Sequence, residues 1–171
     1  MPNFTSINPF GSEIDITELS PDILVWKKIE TLSLAVGDGA GQTLTTANLN
    51  AYSNVKLIIK APMGASTGYI TLAGTGFTAS QYLCCKRTSG SIVTATGASS
   101  WEILKRGTAT TNPLFAEITL TKHSTGISFI SEFSSYLYGG AVAGQHPDNA
   151  WTTFAIYQQT ASDLTVEVYA R

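Results

Sequence analysis

Charged residues are scarce in this sequence. Lys, Arg, Asp and Glu make up 13% of the 171 residues, whereas an average soluble domain has about 25%. The basic residues also form no block, because the three basic pairs lie far apart, at 27–28, 86–87 and 105–106. Phosphate backbones are bound by clustered positive charge, so we expect no nucleic-acid partner. A surface with few charges suits a protein that buries area against neighbouring subunits.

Long apolar runs are absent as well. No stretch approaches the roughly 20 apolar residues that cross a membrane as a helix, so we expect no membrane partner. The segment from Met1 to Gly11 lacks a basic part followed by an apolar part, so we expect no signal peptide. The sequence therefore predicts a protein that is made, and assembles, in a cytoplasm.

Residues that bind metals or act as nucleophiles are few and dispersed. The two cysteines, Cys84 and Cys85, are neighbours, and on a strand they would point to opposite faces. His123 and His146 lack the spacing of a zinc site and are predicted to be solvated loop residues. Residues 64–68 match G-x-S-x-G, but a strand-like segment follows where a nucleophile elbow needs a helix. We therefore predict no metal, no cofactor and no enzymatic activity.

Short alternating segments are what the sequence does contain. Leu32, Leu34 and Val36, for example, alternate with Ser33 and Ala35. A period of two with β-branched and aromatic enrichment is typical of strands. Gly, Pro, Asn and Ser separate such segments, which lie at 32–36, 55–60, 69–73, 81–87, 91–94, 101–105, 115–121, 126–131, 151–158 and 164–169. This spacing predicts an all-β, antiparallel jelly-roll-like sandwich.

The first 25 residues differ from the rest. They contain three prolines and scattered apolar residues, and we predict an extended N-terminal arm at 1–25 before a β domain at 26–171. Such an arm would be held by its own domain or by another subunit. The side chains predicted to make these contacts are Phe4, Ile7, Phe10 and Ile14.

Two further segments lack clear alternation. Residues 43–52 are predicted to be a helical turn or a polar loop. Residues 133–152 are predicted to be a long polar and aromatic loop, and long loops on β scaffolds often carry binding sites. In this loop Tyr136, Tyr138 and Trp151 could stack on a sugar ring, or they could instead fill the core at strand ends.

A family resemblance is carried by Ser/Thr/Gly-rich strands and by three segments, Ser99–Leu104, Ser128–Glu132 and Leu164–Tyr169. With these features, the run from Trp26 to Arg171 resembles the small β jelly-roll proteins of tailed bacteriophage particles. These are capsid decoration (cement) proteins and the head domains of tail fibres. The resemblance implies a homotrimer on the virion surface, assembled in the host cytoplasm and without catalysis.

Two functions are consistent with these observations. The first is a capsid decoration protein that clamps neighbouring capsid subunits, with itself and the major capsid protein or other virion proteins as partners. The alternative is a tail-fibre head or receptor-binding, lectin-like domain that recognises a host-surface glycan through residues 133–152. A small carbohydrate-active enzyme ranks last, since no nucleophile, metal cluster or cofactor loop is recognisable.

Overall fold

The structure is a computed structural model. It describes residues 6–7, 13–14, 25–35, 38, 40–61, 68–75, 77–78, 82–88, 91–98, 100–106, 114–134, 139–148, 150–159 and 163–171.

These residues form β-strands and contain no α-helix. The strands are β1 (Ser6–Ile7), β2 (Glu13–Ile14), β3 (Lys27–Leu34), β4 (Gln42–Thr45), β5 (Asn54–Ala61), β6 (Gly68–Gly74), β7 (Tyr82–Thr88), β8 (Ser91–Ala98), β9 (Trp101–Arg106), β10 (Leu114–His123), β11 (Gly126–Ser134), β12 (Gly139–His146), β13 (Phe154–Gln158) and β14 (Leu164–Ala170).

The strand pairing is nested and antiparallel. In the large sheet β3 pairs with β14 and β5 pairs with β10, and in the small sheet β4 pairs with β13 and β6 pairs with β9. The first strand of the sandwich, β3, thus pairs with the last, β14. The pairs β4–β13, β5–β10 and β6–β9 are nested within it in the order of the chain. This is the connectivity of a jelly roll, in which two sheets face each other across one core. The prediction of an antiparallel all-β sandwich is confirmed.

Two inserted hairpins widen the large sheet. Strands β7 and β8 follow β6, strands β11 and β12 follow β10, and β12 pairs with both β11 and β7. The large sheet therefore has eight strands in the order β3-β14-β5-β10-β11-β12-β7-β8, whereas the small sheet has four in the order β4-β13-β6-β9. The large sheet consequently presents a broad surface on its side away from the core.

Alternating side chains fill the space between the sheets. Every second residue of β14 and of β5 is buried, as the alternating sequence pattern predicts. The largest buried side chains include Trp101 and Phe129, whose ring centroids lie 4.6 Å apart. Among the described residues, Ser131 Oγ is buried without a hydrogen-bond partner.

The sequence prediction was wrong for two segments. Residues 43–45, the start of the segment 43–52 that was expected to be a helical turn or a polar loop, belong to β4, which pairs with β13. Residues 139–146, expected to be a binding loop, form β12. The sequence of β12 is rich in Gly and Ala, so its own propensity for strand is weak. Its conformation follows instead from backbone pairing with β11 and β7 on either side.

A tight turn joins β10 to β11. His123 pairs with Gly126, so only Ser124 and Thr125 lie between the paired residues. Gly126 has a φ of 145°, and a Cβ atom there would collide with the carbonyl oxygen of His146. Glycine is therefore required by both the backbone conformation and the close approach of β12.

The described residues of the arm form a small antiparallel pair. Ser6 lies opposite Ile14, and Ile7 lies opposite Glu13. The backbone therefore reverses direction between β1 and β2, and the arm is not extended along its whole length. The boundary of the arm at residue 25 stays a prediction.

Candidate interaction surface

The outward side chains of the large sheet form one continuous surface, which we call the outer face. Because directly opposite residues in antiparallel strands share a face, the register defines its members. Among the residues whose side chains the structure describes, it includes Lys28, Thr31 and Ser33 from β3, Thr165, Glu167 and Tyr169 from β14, Asn54, Lys56, Ile58 and Lys60 from β5, Phe115, Glu117, Thr119 and Thr121 from β10, Ser128, Ile130 and Glu132 from β11, and Ala141, Ala143 and Gln145 from β12.

One carboxylate connects three strands at one side of this face. Lys28 Nζ and Lys60 Nζ each donate to the Glu167 carboxylate at 3.1 Å, and the Tyr169 hydroxyl lies 3.5 Å from the same group. Hydrogen bonds from Lys60 and Lys28 hold the pKa of the Glu167 carboxyl below its ordinary value, because they favour the ionised form. The ion pairs thus link β14 to β3 and β5.

A second charged group lies nearby. Lys56 Nζ is 2.6 Å from the Glu117 carboxylate, which links β5 to β10. The same ammonium lies 5.1 Å from the ring centroid of Trp26, and the Arg171 guanidinium lies 4.6 Å from that centroid. Cation–π contacts of this kind contribute about 0.5–1 kcal/mol at exposed sites. They position Trp26, which precedes β3, beside the end of β14.

Apolar side chains are exposed on the part of the outer face that β10, β11 and β12 form. Ile130 is 61% exposed and Phe115 is 43% exposed. Ala141 and Ala143 are also exposed and lie directly opposite Glu132 and Ile130 on the neighbouring strand. The solvent-facing side of an antiparallel sheet normally carries polar residues, so this combination departs from the ordinary pattern.

An open groove lies where β10 and β12 end and β11 begins. It has a volume of about 650 Å³ and is lined by His123, Thr125, Gly126, Ile127, Ser128, Gln145, His146 and Pro147. The His123 Nε2 and Ser128 Oγ atoms are 2.7 Å apart, within hydrogen-bonding distance. The described lining residues offer hydrogen-bonding groups from His123, Ser128 and Gln145, and none of these described residues is Lys, Arg, Asp or Glu.

His146 differs from its predicted setting. The sequence predicted a solvated loop residue, but His146 ends β12 and is 1% exposed. Its ring stacks on Phe77 at a centroid distance of 4.5 Å, its Nε2 lies 3.0 Å from the Thr78 carbonyl oxygen, and its Nδ1 accepts the Asp148 amide N–H. These contacts satisfy both ring nitrogens when the proton is on Nε2, so burial is tolerated. His123, by contrast, is exposed at the end of β10.

The structure places one of the predicted glycan-binding aromatics in the core. Trp151 is 1% exposed, and its Nε1–H donates to the Leu49 carbonyl oxygen at 2.9 Å. The Lys122 ammonium lies 4.5 Å from its ring centroid, and burial lowers the pKa of Lys122. For this residue the core alternative agrees with the structure, and no ring face is open to a sugar. Tyr136 and Tyr138 lie outside the described residues.

The predicted arm contacts are only partly described. Phe4 and Phe10 lie outside the described residues, whereas the backbones of Ile7 and Ile14 lie in β1 and β2. The register does not place Ile7 and Ile14 opposite each other, because each pairs with a polar residue. Their role as docking residues stays a prediction.

Sequence reasoning missed the exposed apolar residues. Phe129 and Ile130 are adjacent in sequence, so one of the two must face outward on a strand. The polar residue that follows, Ser131, is buried with the inward set. In the pair Ile130–Ser131 the apolar side chain faces solvent and the polar side chain faces the core, which reverses the usual arrangement. This polar residue on the buried side of an apolar strand was the sequence signal for an exposed apolar residue beside it.

Two kinds of site are absent from the described ranges. No three His, Cys, Asp or Glu side chains there lie close enough together to hold a metal ion. No helix in that part of the chain has the length and apolarity of a membrane span.

The similarities found with known proteins are to solved structures. No protein-family model and no curated protein sequence matches the chain. Among solved structures, the tail fiber protein gp63.1 from a phage of E. coli is similar, with 15% sequence identity and a TM-score of 0.32. The similarity covers 84% of this chain and 21% of that one, so this chain spans about a fifth of that protein. A TM-score this low does not establish a shared fold, and the jelly-roll assignment rests on the strand pairing.

Proposed function

We propose that this chain is a non-enzymatic structural subunit of a bacteriophage virion that assembles through the outer face of its large sheet. The observation that carries the proposal is the exposure of Ile130 at 61% and Phe115 at 43% on that face. Exposed apolar groups mark interaction sites when they are contiguous, and Ile130 lies directly opposite Ala143 and diagonal to Ala141, both of which are exposed. The low charge content and the resemblance to phage jelly-roll proteins support the same function.

The specific role that we propose is capsid decoration. Each subunit would clamp neighbouring capsid subunits, and the assembled lattice would gain stability by mass action because the clamp binds the assembled state. The N-terminal arm, with Phe4, Ile7, Phe10 and Ile14, would contribute contacts to the lattice or to a neighbouring copy. The subunit would lie on the virion surface as a homotrimer, as the resemblance implies.

The mass of the full chain in solution tests self-association. Light scattering behind a sizing column, across a range of concentrations, should give a mass near three times the 18.2 kDa of one chain. Ile130→Lys should reduce the mass toward that of one chain, because a buried ammonium opposes association. Thr43→Lys, on the exposed side of β4 in the small sheet, is the matched control. A monomer at every concentration contradicts self-association.

Cosedimentation with undecorated phage capsids tests the clamp. The full chain should pellet with the capsids and should raise their resistance to heat. Deletion of residues 1–24 should weaken this binding if the arm contributes. Binding that is undiminished in the shortened chain contradicts the role of the arm, and no binding by the full chain contradicts capsid decoration.

A second candidate is a receptor-binding domain for a host glycan, and the open groove favours it. Gln145, His146 and Pro147 of the groove belong to the segment in which the sequence predicted glycan contacts. Its volume of about 650 Å³ lies within the range of small-molecule sites. Glycan-array binding that is lost in Gln145→Ala and retained in Thr43→Ala would support this function, and the absence of any glycan binding would contradict it.

A further inference from the structure

The outer face carries a contiguous group of exposed apolar side chains. Ile130 lies directly opposite Ala143 and diagonal to Ala141, and all three are exposed. We call these three residues the apolar patch. Phe115 is not part of it, because a pair of glutamates lies between Phe115 and Ile130 in the register. An apolar segment is the kind of partner that would remove the patch from water.

The N-terminal arm joins the domain on this same face. Trp26 follows directly after the arm, and its ring centroid lies 5.1 Å from Lys56 Nζ. Lys56 shares one row of the register with Thr119 and Ile130, which lie on the next two strands. With neighbouring strands about 4.8 Å apart, the row from Lys56 to Ile130 spans roughly 10 Å. The arm therefore begins close to the part of the face that holds the apolar patch.

The arm has suitable side chains and sufficient length to cover an apolar patch. Its apolar residues include Phe4, Ile7, Phe10 and Ile14. From Ile14 to Trp26 the chain can extend by roughly 40 Å, at about 3.3–3.6 Å per residue. This length is enough to reach a neighbouring subunit as well as its own.

Arm and domain also differ in net charge. The charged residues of the arm are all acidic, namely Glu13, Asp15, Glu18 and Asp22. Residues 26–171 contain all 10 basic residues of the chain and the other 8 of its 12 acidic residues. The formal net charge is thus −4 for the arm and +2 for the domain. Opposite charges favour contact of an arm with a domain and oppose contact between two arms or two domains.

Both sides of such a contact are open within one subunit. Val25, the last residue of the arm, is 61% exposed, and Ile130 is equally exposed. A homotrimer, moreover, needs two different surfaces on each subunit, because one face docking on itself closes a twofold dimer. An arm and a face are two different surfaces, and their contact can repeat around a threefold axis until the ring closes.

We infer that the arm of one subunit docks on the apolar patch of a second copy of this chain, so that its apolar side chains cover Ile130, Ala141 and Ala143. Each subunit gives one arm and receives another. The inference rests on the proposed function, because it names the two surfaces through which the proposed self-association occurs.

Complementation between two full-length variants tests the inference. The face variant is Ile130→Lys, and the arm variant combines Phe4→Ser, Ile7→Ser, Phe10→Ser and Ile14→Ser. By light scattering, each variant alone should have the mass of one chain at concentrations at which the original chain is a trimer. An equimolar mixture should form pairs with a mass near twice 18.2 kDa, because the intact arm of the face variant docks on the intact patch of the arm variant.

Matched controls separate the arm contact from other effects. Thr43→Lys adds the same charge on the small sheet, and a second control changes only polar residues of the arm, Asn3→Ser, Thr5→Ser, Asn8→Ser and Thr17→Ser. Both controls should keep the mass of the original chain. Thermal unfolding of the face variant should remain cooperative, because Ile130 is exposed. Added salt should weaken association of the original chain, since it screens the opposite charges of arm and domain.

The outcomes distinguish the two levels of the proposal. If the original chain is monomeric at every concentration, self-association itself fails and the inference fails with it. If the original chain forms oligomers that the arm variant leaves intact, the inference is overturned while the proposed function stands. The same holds if the mixture of the two variants stays monomeric at every concentration, because the arm then acts within its own subunit.

Discussion

Trp151 anchors the loop between β4 and β5 to the core. Its indole donates to Leu49 in that connection, and the Leu49 amide in turn donates to the Thr152 carbonyl oxygen at 2.7 Å. Lys122 covers the ring and donates to the Asn50 carbonyl oxygen at 2.8 Å. One side chain thus combines apolar burial with a directional bond to a loop.

Replacement of Trp151 by Phe should therefore destabilise the fold. The change removes the indole donor from the Leu49 carbonyl oxygen, which keeps its bond from the Tyr52 amide at 3.1 Å. The lost hydrogen bond costs about 0.5–1.5 kcal/mol, and the cavity left by the smaller ring adds to that loss. Urea denaturation would measure the loss. Trp26→Phe is the matched control, because Trp26 is only half-buried and should lose much less stability. Equal effects of the two substitutions would contradict the anchoring role of Trp151.

Gly126 allows a second prediction at the scale of one residue. Gly126→Ala combines a strained φ with a collision against the His146 carbonyl, and strain of this kind costs about 1–3 kcal/mol. Gly41→Ala is the comparison, because Gly41 has a φ of 75° but a Cβ there would meet only the Tyr157 hydroxyl, at 3.6 Å. Chemical denaturation should show the larger loss at Gly126, and the reverse order would contradict the close approach of β12.

Strand β14 is held on both sides by the charges of one residue. Glu167 bonds to Lys28 on β3 and to Lys60 on β5. Since the pKa of Glu167 is lower in the folded chain than its ordinary value of 4.5, folding favours the ionised carboxylate. The ion pairs therefore contribute stability above the unfolded pKa, and that contribution is lost as pH falls through the folded pKa.

Glu167→Gln should accordingly flatten the acid dependence of stability. The free energy of unfolding, measured between about pH 7 and about pH 3, should fall less steeply in the variant than in the original chain. Glu132→Gln is the control, because it removes a carboxylate without an ion pair in the described structure. If Glu132→Gln flattens the curve as much as Glu167→Gln does, the assignment to Glu167 is wrong.

The sequence predicted elements where one face of a strand is clearly apolar. Val55, Leu57 and Ile59 recur at every second position, with Lys56 and Lys60 on the opposite face, and β5 forms at 54–61 as a result. The sequence could not predict β12, because the segment Gly-Gly-Ala-Val-Ala-Gly has little intrinsic preference for a strand. The segment acquires its strand conformation by pairing with β11 and β7. The exposed apolar side chains of the outer face were missed for a related reason. Which of Phe129 and Ile130 points outward depends on a register that only the pairing of β10 and β11 fixes.

At the scale of the whole molecule, the nested pairing brings distant parts of the chain together. Strand β14 lies between β3 and β5, and Ala170 pairs with Lys27. Folding rates fall as the sequence separation of contacting residues rises, and all-β domains of this kind fold in milliseconds to seconds. A chain in which β14 immediately precedes β3 would replace the longest-range pairing with a local hairpin.

A circular permutant tests this directly. Residues 163–171 are moved in front of Val25 through a short glycine linker, with residues 1–24 removed. This permutant should fold faster than the unpermuted 25–171 chain in stopped-flow refolding, because the β14–β3 pairing becomes a hairpin. Deletion of 163–171 without reinsertion should abolish cooperative unfolding, since β3 and β5 lose their shared partner. A cooperatively folded deletion variant would contradict the central place of β14.

The position of β14 also determines what happens while the chain is being made. The ribosome synthesises β3 and β5 long before Leu164, and at about 5–20 residues per second the interval from Leu34 to Leu164 is roughly ten seconds. For that time the hydrogen-bonding edges that β14 will later fill are open. Neighbouring nascent chains on one messenger RNA carry the same open edges, so premature pairing between chains is the misfolding route that this strand order exposes.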